Sequence, residues 1–550
     1  MKRILLSILS IICLMPLCAA QEHLSERVYV STDSDVYVAG DDMFVSAFCL
    51  DMATGAMSGG SAVAYLEVIS PEGPVQTGKI ALRKGRGGGV VSLPNTIPTG
   101  NYKLVAYTAQ CFNEVGYDFE EGAKVISVIN PFTTERSSSG VEVVDDEAYA
   151  GATSGAAPQA GSVRVSGSGE HLVLTNSSDK PVSVSVSVAS DDGIVPPGQF
   201  TPMTFLKGAT RGSSFVNRRK LEYEGEIIRA RVRGVEADEM DSVYGADAYF
   251  SVPGHMTDVY TTKVDSAGLA SFYTRNVYGN EEAFLEIRSE KGHLDIEQPF
   301  MGVKATGLAP LRLARGLEDR ILRRSLAMQI QKASHADSLY LMLDVPEDQI
   351  FQDDVVEYVL DDYTRFPLME ELFIEFVKEL RIRKDGDDRS VVVFLLDSYK
   401  PAPFSQLPSM VLLDGVPVLD QNKIFDYDPL LVERIVIYQH TVNLGGWLYA
   451  GVVNFITYKG NLPSYEFADN ARVINFQGTS YPVAAYRPVP DNTVQDLRQT
   501  ALWHPMVDIG PGESRELNFV RPAYDGRMRV VVQGFDADGA PQYVSSSFPD

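Results

Sequence analysis

Cysteine, tryptophan and histidine are scarce in this 550-residue chain, with four, two and seven copies respectively. Four cysteines cannot staple a chain of this length, which excludes the disulfide-dense scaffolds of small exported domains. The histidines (His23, His171, His255, His293, His335, His440, His504) stand singly. No His-Glu-x-x-His and no pair at metal-ligating spacing occurs, so neither a zinc centre nor a cofactor is expected. No Gly-x-Ser-x-Gly elbow is available to present a nucleophile, and no catalytic residue is assigned. Positive charge is also short: 48 Lys+Arg against 73 Asp+Glu give a formal net charge of −25. Displacing counterions from phosphate needs a basic face, so nucleic acid is not an expected partner. Past the amino terminus, no apolar run reaches the ~18–20 residues that cross a bilayer, and no transmembrane span is expected.

What is present is glycine (45), tyrosine (26) and hydrophobic content of 45%, the mark of a globular chain rich in hairpins. The length suits several domains of ~100–200 residues. Lys2-Arg3, an apolar run over residues 4–17 and Cys18-Ala19-Ala20 read as a secretory signal peptide, 1–20. Cleavage after Ala20 is favoured over lipid attachment at Cys18, because Pro16-Leu17 is a poor lead into a lipidated cysteine. An exported protein, periplasmic or associated with the outer membrane, is therefore expected. Export would leave Cys49 and Cys111 in an oxidising compartment, paired or free.

Residues 24–132 alternate in period two and turn often, with Pro71-Glu72-Gly73 and Pro98-Thr99-Gly100 as punctuation, which predicts an antiparallel β-sandwich. The phrases Asp35-Val36-Tyr37-Val38-Ala39-Gly40-Asp41 and Pro98-Thr99-Gly100-Asn101-Tyr102-Lys103-Leu104 resemble the bacterial macroglobulin-type sandwich, with Ala39 where that family has proline. Residues 133–162, rich in Ser, Gly and Ala, lack periodicity and predict a flexible linker. The β pattern resumes over 163–303, one or two further sandwiches, and gives way at 304–344 to a helical connector. There Leu313, Leu317, Ile321 and Leu322 share a face, and Arg320, Arg323 and Arg324 read as a solvated one. Gly85-Arg86-Gly87-Gly88-Gly89 lacks the Lys-Ser/Thr ending of a phosphate loop and reads as a hairpin tip; Asp33-Ser34-Asp35 and Asp536-Ala537-Asp538-Gly539 read as turns.

Residues 405–460 are the most specific stretch. Met410-Val411-Leu412-Leu413-Asp414-Gly415-Val416-Pro417-Val418 predicts two strands joined by a type I′ turn, with Pro417 marking an edge. Asp428-Pro429-Leu430-Leu431-Val432-Glu433-Arg434-Ile435-Val436-Ile437-Tyr438 and then Gly445-Gly446-Trp447-Leu448-Tyr449-Ala450-Gly451-Val452-Val453-Asn454-Phe455-Ile456-Thr457 follow in order. The series resembles the plug domain of TonB-dependent outer-membrane transporters, with Val436 in place of an acidic residue and a loop shortened at Ala450-Gly451. A transporter barrel of about 22 strands needs at least ~220 residues, more than residues 461–550 supply, so a transporter is not expected. A small α/β plug-like domain over 345–462 is expected instead. One sheet would contain strands at 391–396, 411–413, 435–437 and 452–456, covered by a helix over 367–380. Residues 463–550, with Leu502-Trp503-His504-Pro505, would form a C-terminal β-sandwich.

The expected fold class is mainly β and multidomain: tandem macroglobulin- or Ig-like antiparallel sandwiches plus one plug-like domain. The combination resembles a family of exported Gram-negative envelope proteins, which implies a non-enzymatic interaction or scaffold protein accessory to an outer-membrane transport or assembly complex. Its partner would be an envelope or outer-membrane protein, such as a TonB-dependent transporter. The candidate interaction residues are Asp414, Gly415, Pro417, Trp447 and Tyr449, on elements that face barrel or ligand in plugs. Two alternatives stay open: a binding protein that captures a nutrient polymer or peptide for a TonB-dependent transporter, and a hydrolase with an unrecognised site.

Overall fold

The computed structural model describes residues 24–120, 122–150, 159–191, 193–194, 198–209, 212, 214–254, 258–275, 277–333, 340–342, 355–396, 407–486, 496–523 and 527–548. The expected signal peptide lies outside them. The chain is mainly β, in many small sheets. It divides into two compact units, each built from separated stretches: 1–223, 302–343 and 481–550 in one, 224–301 and 344–480 in the other.

The first unit begins with a sandwich. Glu26–Thr32, Asp42–Asp51 and Arg86–Ser92 form a three-stranded sheet. The facing sheet contains Val36–Val38, Lys124–Ile129, Gly100–Tyr107, Val63–Ser70 and Gly73–Ala81, in that order. The alternating apolar positions seen in the sequence meet between them, with Val28, Val45, Leu66, Tyr102 and Ile126 in one core. Gly85 sits in the turn as expected, but Gly87, Gly88 and Gly89 pair with Ala47, Ser46 and Val45 inside the first sheet, so most of this run is strand. A Cβ on Gly88 would lie 2.3 Å from Pro505 Cβ, a close approach that only glycine permits.

A second sandwich in this unit is assembled from both ends of the chain. Val182–Asp191 lies between Thr500–Ile509 and Arg527–Asp536, and Pro541–Phe548 pairs outside the latter. Opposite runs a sheet of Val163–Ser168, His171–Asn176 and Ser514–Asn518. Residues 463–550 are therefore not a separate C-terminal sandwich: the central strand of that sheet comes from residues 182–191, and neither half can bury its face without the other. Trp503 is buried here, stacked 5.3 Å from Phe44.

The segment expected to be a linker is partly built in. Val141–Val144 pairs in parallel with Leu311–Ala314, and Tyr149 is buried against Leu311, Ala314 and Leu317. Its apolar content is low, but distant residues supply the surface it needs; residues 151–158 lie outside the description. The expected helical connector contains that strand, then a 3-10 turn at Arg315–Leu317, and is α-helical only over Glu318–Ala333. Arg324 of this helix is buried and donates to the Val36 carbonyl at 2.6 Å, which corrects the solvated face read for it.

In the second unit, Leu269–Tyr273, Ile227–Arg233 and His293–Ile296 form one sheet of a third sandwich. The other sheet is Asp258–Lys263, Asp247–Val252, Asn280–Ile287 and Arg472–Gln477, the last strand again arriving from far along the chain. The α/β module completes the unit with a sheet ordered Val355–Val359, Val432–Leu444, Trp447–Thr457, Met410–Leu413 and Val416–Pro417. Only Met410–Leu413 runs parallel to its neighbour Trp447–Thr457. Asp388–Val393 does not join this sheet; it forms a hairpin with Leu380–Asp385. The expected helix is cut to Met369–Glu375, because Phe376 leaves helical geometry to stack on Tyr363 at 4.4 Å and Leu380 starts the hairpin. Leu372, Phe376 and Leu380 still reach one core, so their spacing marks a shared face without one helix.

Candidate functional site

The Asp414-Gly415 turn joins Met410–Leu413 to Val416–Pro417 with φ of 48° and 82°, the left-handed values a type I′ turn demands. Asp414 is fully buried. Its Oδ1 accepts the Thr457 N–H at 2.7 Å, and its Oδ2 accepts the Thr457 hydroxyl at 2.7 Å and the Leu462 N–H at 2.8 Å. Gly415 N–H donates to Asn454 Oδ1 at 3.1 Å, and Pro417 sits buried at the sheet's end. Asp414, Gly415 and Pro417 were expected on a surface left for a partner. Their polar groups are spent inside the module, where they lock the turn to the strand that carries Asn454 and Thr457.

Trp447 and Tyr449 lie on the long hairpin of Val432–Leu444 and Trp447–Thr457. Two positions apart on one strand they share a face and differ in depth, Trp447 at the hairpin tip and Tyr449 farther in. Tyr449, 8% exposed, packs with Tyr249, Val259, Met410, Leu412 and Val442, and burial raises its phenol pKa. Trp447 keeps 38% exposure, and Lys263 Nζ stands 4.3 Å from the centroid of its ring. The hairpin tip is seated against Asp258–Lys263: Thr261 Oγ1 donates to the Leu444 carbonyl at 2.6 Å. Of the five expected interaction residues, Trp447 alone presents a large part of its side chain to solvent.

A group the sequence reading passed over lies elsewhere on the module. Tyr363, Leu430 and Tyr458 are all exposed. Leu430 and Tyr458 adjoin Arg365, which donates to the carbonyls of Val432 at 3.0 Å and Leu430 at 3.4 Å, while Tyr458 donates to Asp361 at 2.6 Å. Asp428 caps the short turn Pro429–Leu431 through the Leu430 N–H and so turns the Leu430 side chain outward. The phrase Asp428-Pro429-Leu430-Leu431 carried that signal, since only one of two adjacent leucines can face the core.

Cys49 and Cys111 are both buried and free. Burial raises both thiols, Cys111 to about 11. Beside them, the buried Arg27 and Glu114 form a two-pronged ion pair at 2.9 Å, and the Glu26 carboxylate accepts from the hydroxyls of Ser58, Ser61 and Thr108. The Arg27, Glu114 and Glu26 charges are each met by hydrogen bonds, so the cluster reads as a core network. Among the described residues, no helix is long and apolar enough to cross a membrane.

No protein-family model matches the chain, and no curated protein does. Among solved structures, the trypsin-activated alpha-2-macroglobulin of Escherichia coli aligns over 96% of this chain and 42% of its own length, at 10% identity and a TM-score of 0.24. A Salmonella alpha-2-macroglobulin mutant aligns over 96% and 40%, at 9% identity and the same TM-score of 0.24. The Yersinia pseudotuberculosis adhesin InvE aligns over 54% and 62%, at 12% identity and a TM-score of 0.14. The chain spans about two fifths of the length of these macroglobulins. Scores this low establish no common fold, so function has to be argued from the chain's own residues.

Proposed function

We propose that the chain is an exported, non-enzymatic interaction protein of the envelope, accessory to an outer-membrane transport or assembly complex. In this reading the sandwiches are spacers and the plug-like module is the docking element, its partner an outer-membrane protein. The observation that supports it most is the exposure of Leu430 and Tyr458 beside Arg365, on a module whose own core is already filled by Leu372, Phe373, Val411, Ile435 and Phe455. Clustered apolar and aromatic side chains with a charged rim, here Arg365 and Asp361, are what a partner desolvates. The resemblance of residues 405–460 to transporter plugs supplies the class of partner, and that step is analogy.

Affinity recovery of the full chain from detergent-solubilised envelopes tests the reading. The wild-type chain is expected to enrich an outer-membrane protein, and Leu430→Glu to lose it with an unchanged melting temperature. Equal recovery by wild type and Leu430→Glu, or no enriched outer-membrane protein, would overturn the assignment.

A further inference from the structure

The first unit contains a cleft of about 290 Å³ that no step above uses. It opens where the first sandwich, the second sandwich and the helix Glu318–Ala333 meet, so its lining comes from four distant parts of the sequence. Three carboxylates line it, Asp33, Asp41 and Asp42, against two cations, Arg324 and Lys332. Asp42 is occupied by Lys332 at 3.2 Å and by the Ser92 hydroxyl at 2.6 Å. Arg324 donates to the Val36 carbonyl at 2.6 Å. Asp33 is held by the Tyr37 hydroxyl, the Phe44 N–H and Thr500 Oγ1 at 2.9, 3.2 and 2.6 Å. Asp41 Oδ2 accepts the Val38 N–H at 2.8 Å; among the described residues, no donor reaches its other oxygen.

Two more polar atoms on the same lining are unspent. Ser190 is 8% exposed and its Oγ has no hydrogen-bond partner among the described residues; Gln499 Oε1 is buried and equally unpaired. Buried polar atoms are almost always paired, and leaving one unmade costs ~1–3 kcal/mol. Each unspent atom can accept, the Ser190 hydroxyl being able to donate as well, and surplus negative charge lies beside them. Neutral hydroxyl ligands would leave that charge uncompensated, and a metal ion lacks ligands: no group of three or more His, Cys, Asp or Glu with metal-holding geometry occurs among the described residues. An ammonium has three donors, one positive charge and no acceptor, which matches the set.

We propose that this cleft binds a primary ammonium group, carried either by a small free amine or by the lysine side chain of a peptide, with Asp41, Ser190 and Gln499 as its acceptors. The proposal is independent of docking by the plug-like module. Its pH dependence follows from the site's charges. Burial, with Asp33 and Asp42 adding like charge and Arg324 opposing them, pushes the Asp41 carboxyl up to about 7. Lys332, Tyr37 and Tyr486 are the other titratable groups on the lining. A cation selects the ionised carboxylate, so binding strengthens as pH rises through 7 and releases a proton near that pH.

Titration calorimetry on the full chain tests this with 1,4-diaminobutane, an acetylated tripeptide amide with a central lysine, and methyl glucoside. At least one amine is expected to bind at pH 8 and to bind about tenfold more weakly at pH 6, the ratio that an acid with pKa near 7 imposes. Whichever amine binds tighter identifies the source of the ammonium. At pH 7, heats in buffers of different ionisation enthalpy should show about half a proton released per ligand bound. Asp41→Asn should abolish binding and Ser190→Ala weaken it several-fold; the proton count needs no variant and holds even if Asp41→Asn folds poorly. No amine binding, pH-independent binding, or glucoside binding as well as the amines would overturn the proposal.

Discussion

Asp414 shows how one side chain can look functional in sequence and prove structural. The Asp-Gly pair announces a tight turn, and the turn forms with both residues at positive φ. What the pair cannot announce is that the carboxylate then reaches across to Thr457 and Leu462 and accepts three hydrogen bonds in a fully buried position. Asp414→Ala leaves buried donors unpaired and sets alanine at a strained φ, so we expect a loss of about 2–4 kcal/mol in urea unfolding. Asp414→Asn, which tolerates positive φ and keeps an acceptor, should lose less. A change under ~0.5 kcal/mol for the alanine variant would mean that the turn is held by something else. The cleft residues were illegible for a related reason. Asp33 sits in a turn-like phrase, Asp41 ends a phrase that leads into a strand, and Arg324 lies in a helix face that reads as solvated; only the fold brings Ser190 and Gln499 to meet them.

At the scale of elements, the informative case is the hairpin of Val432–Leu444 and Trp447–Thr457, whose strands the sequence patterns outlined and whose seating they did not. Its tip rests on Asp258–Lys263, a strand more than a hundred residues earlier. Gly445 has φ of +57°, and a Cβ there would stand 1.8 Å from the Thr261 carbonyl oxygen, so the contact admits only glycine. Gly445→Ala should therefore push the tip off that strand, cost about 2–3 kcal/mol of stability, and red-shift Trp447 emission as its ring loses Lys263. Unchanged emission together with unchanged stability would show that the tip is not seated in solution. The helix over 369–375 teaches the complementary lesson. The apolar spacing correctly marked which residues face inward, but an aromatic stack at Phe376 outbid helix propensity and shortened the element.

At the scale of the whole molecule, local pattern identified sandwiches and failed on their boundaries, because the strands that complete them come from elsewhere. Val182–Asp191 reads as a strand by its strict Val-Ser alternation, yet both neighbours lie beyond residue 499. No period in residues 163–303 could reveal that. The consequence is testable by truncation after Ser480. Removal of residues 481–550 takes three of the four strands of that sheet and bares Val182, Val184, Val186 and Val188 on an unpaired strand. The second unit, 224–301 with 344–480, keeps every strand of its three main sheets. The two tryptophans allow the units to be read separately, since Trp503 belongs to the first and Trp447 to the second. The truncated chain, with Trp447 as its sole tryptophan, should show a cooperative urea transition in Trp447 fluorescence at the midpoint seen in full-length Trp503→Phe. It should also aggregate more readily and expose new cleavage sites within residues 163–191 under limited proteolysis. A Trp447 transition that disappears on truncation would show that the second unit depends on the first, and protection of residues 163–191 would show that the sandwich does not need its distant strands.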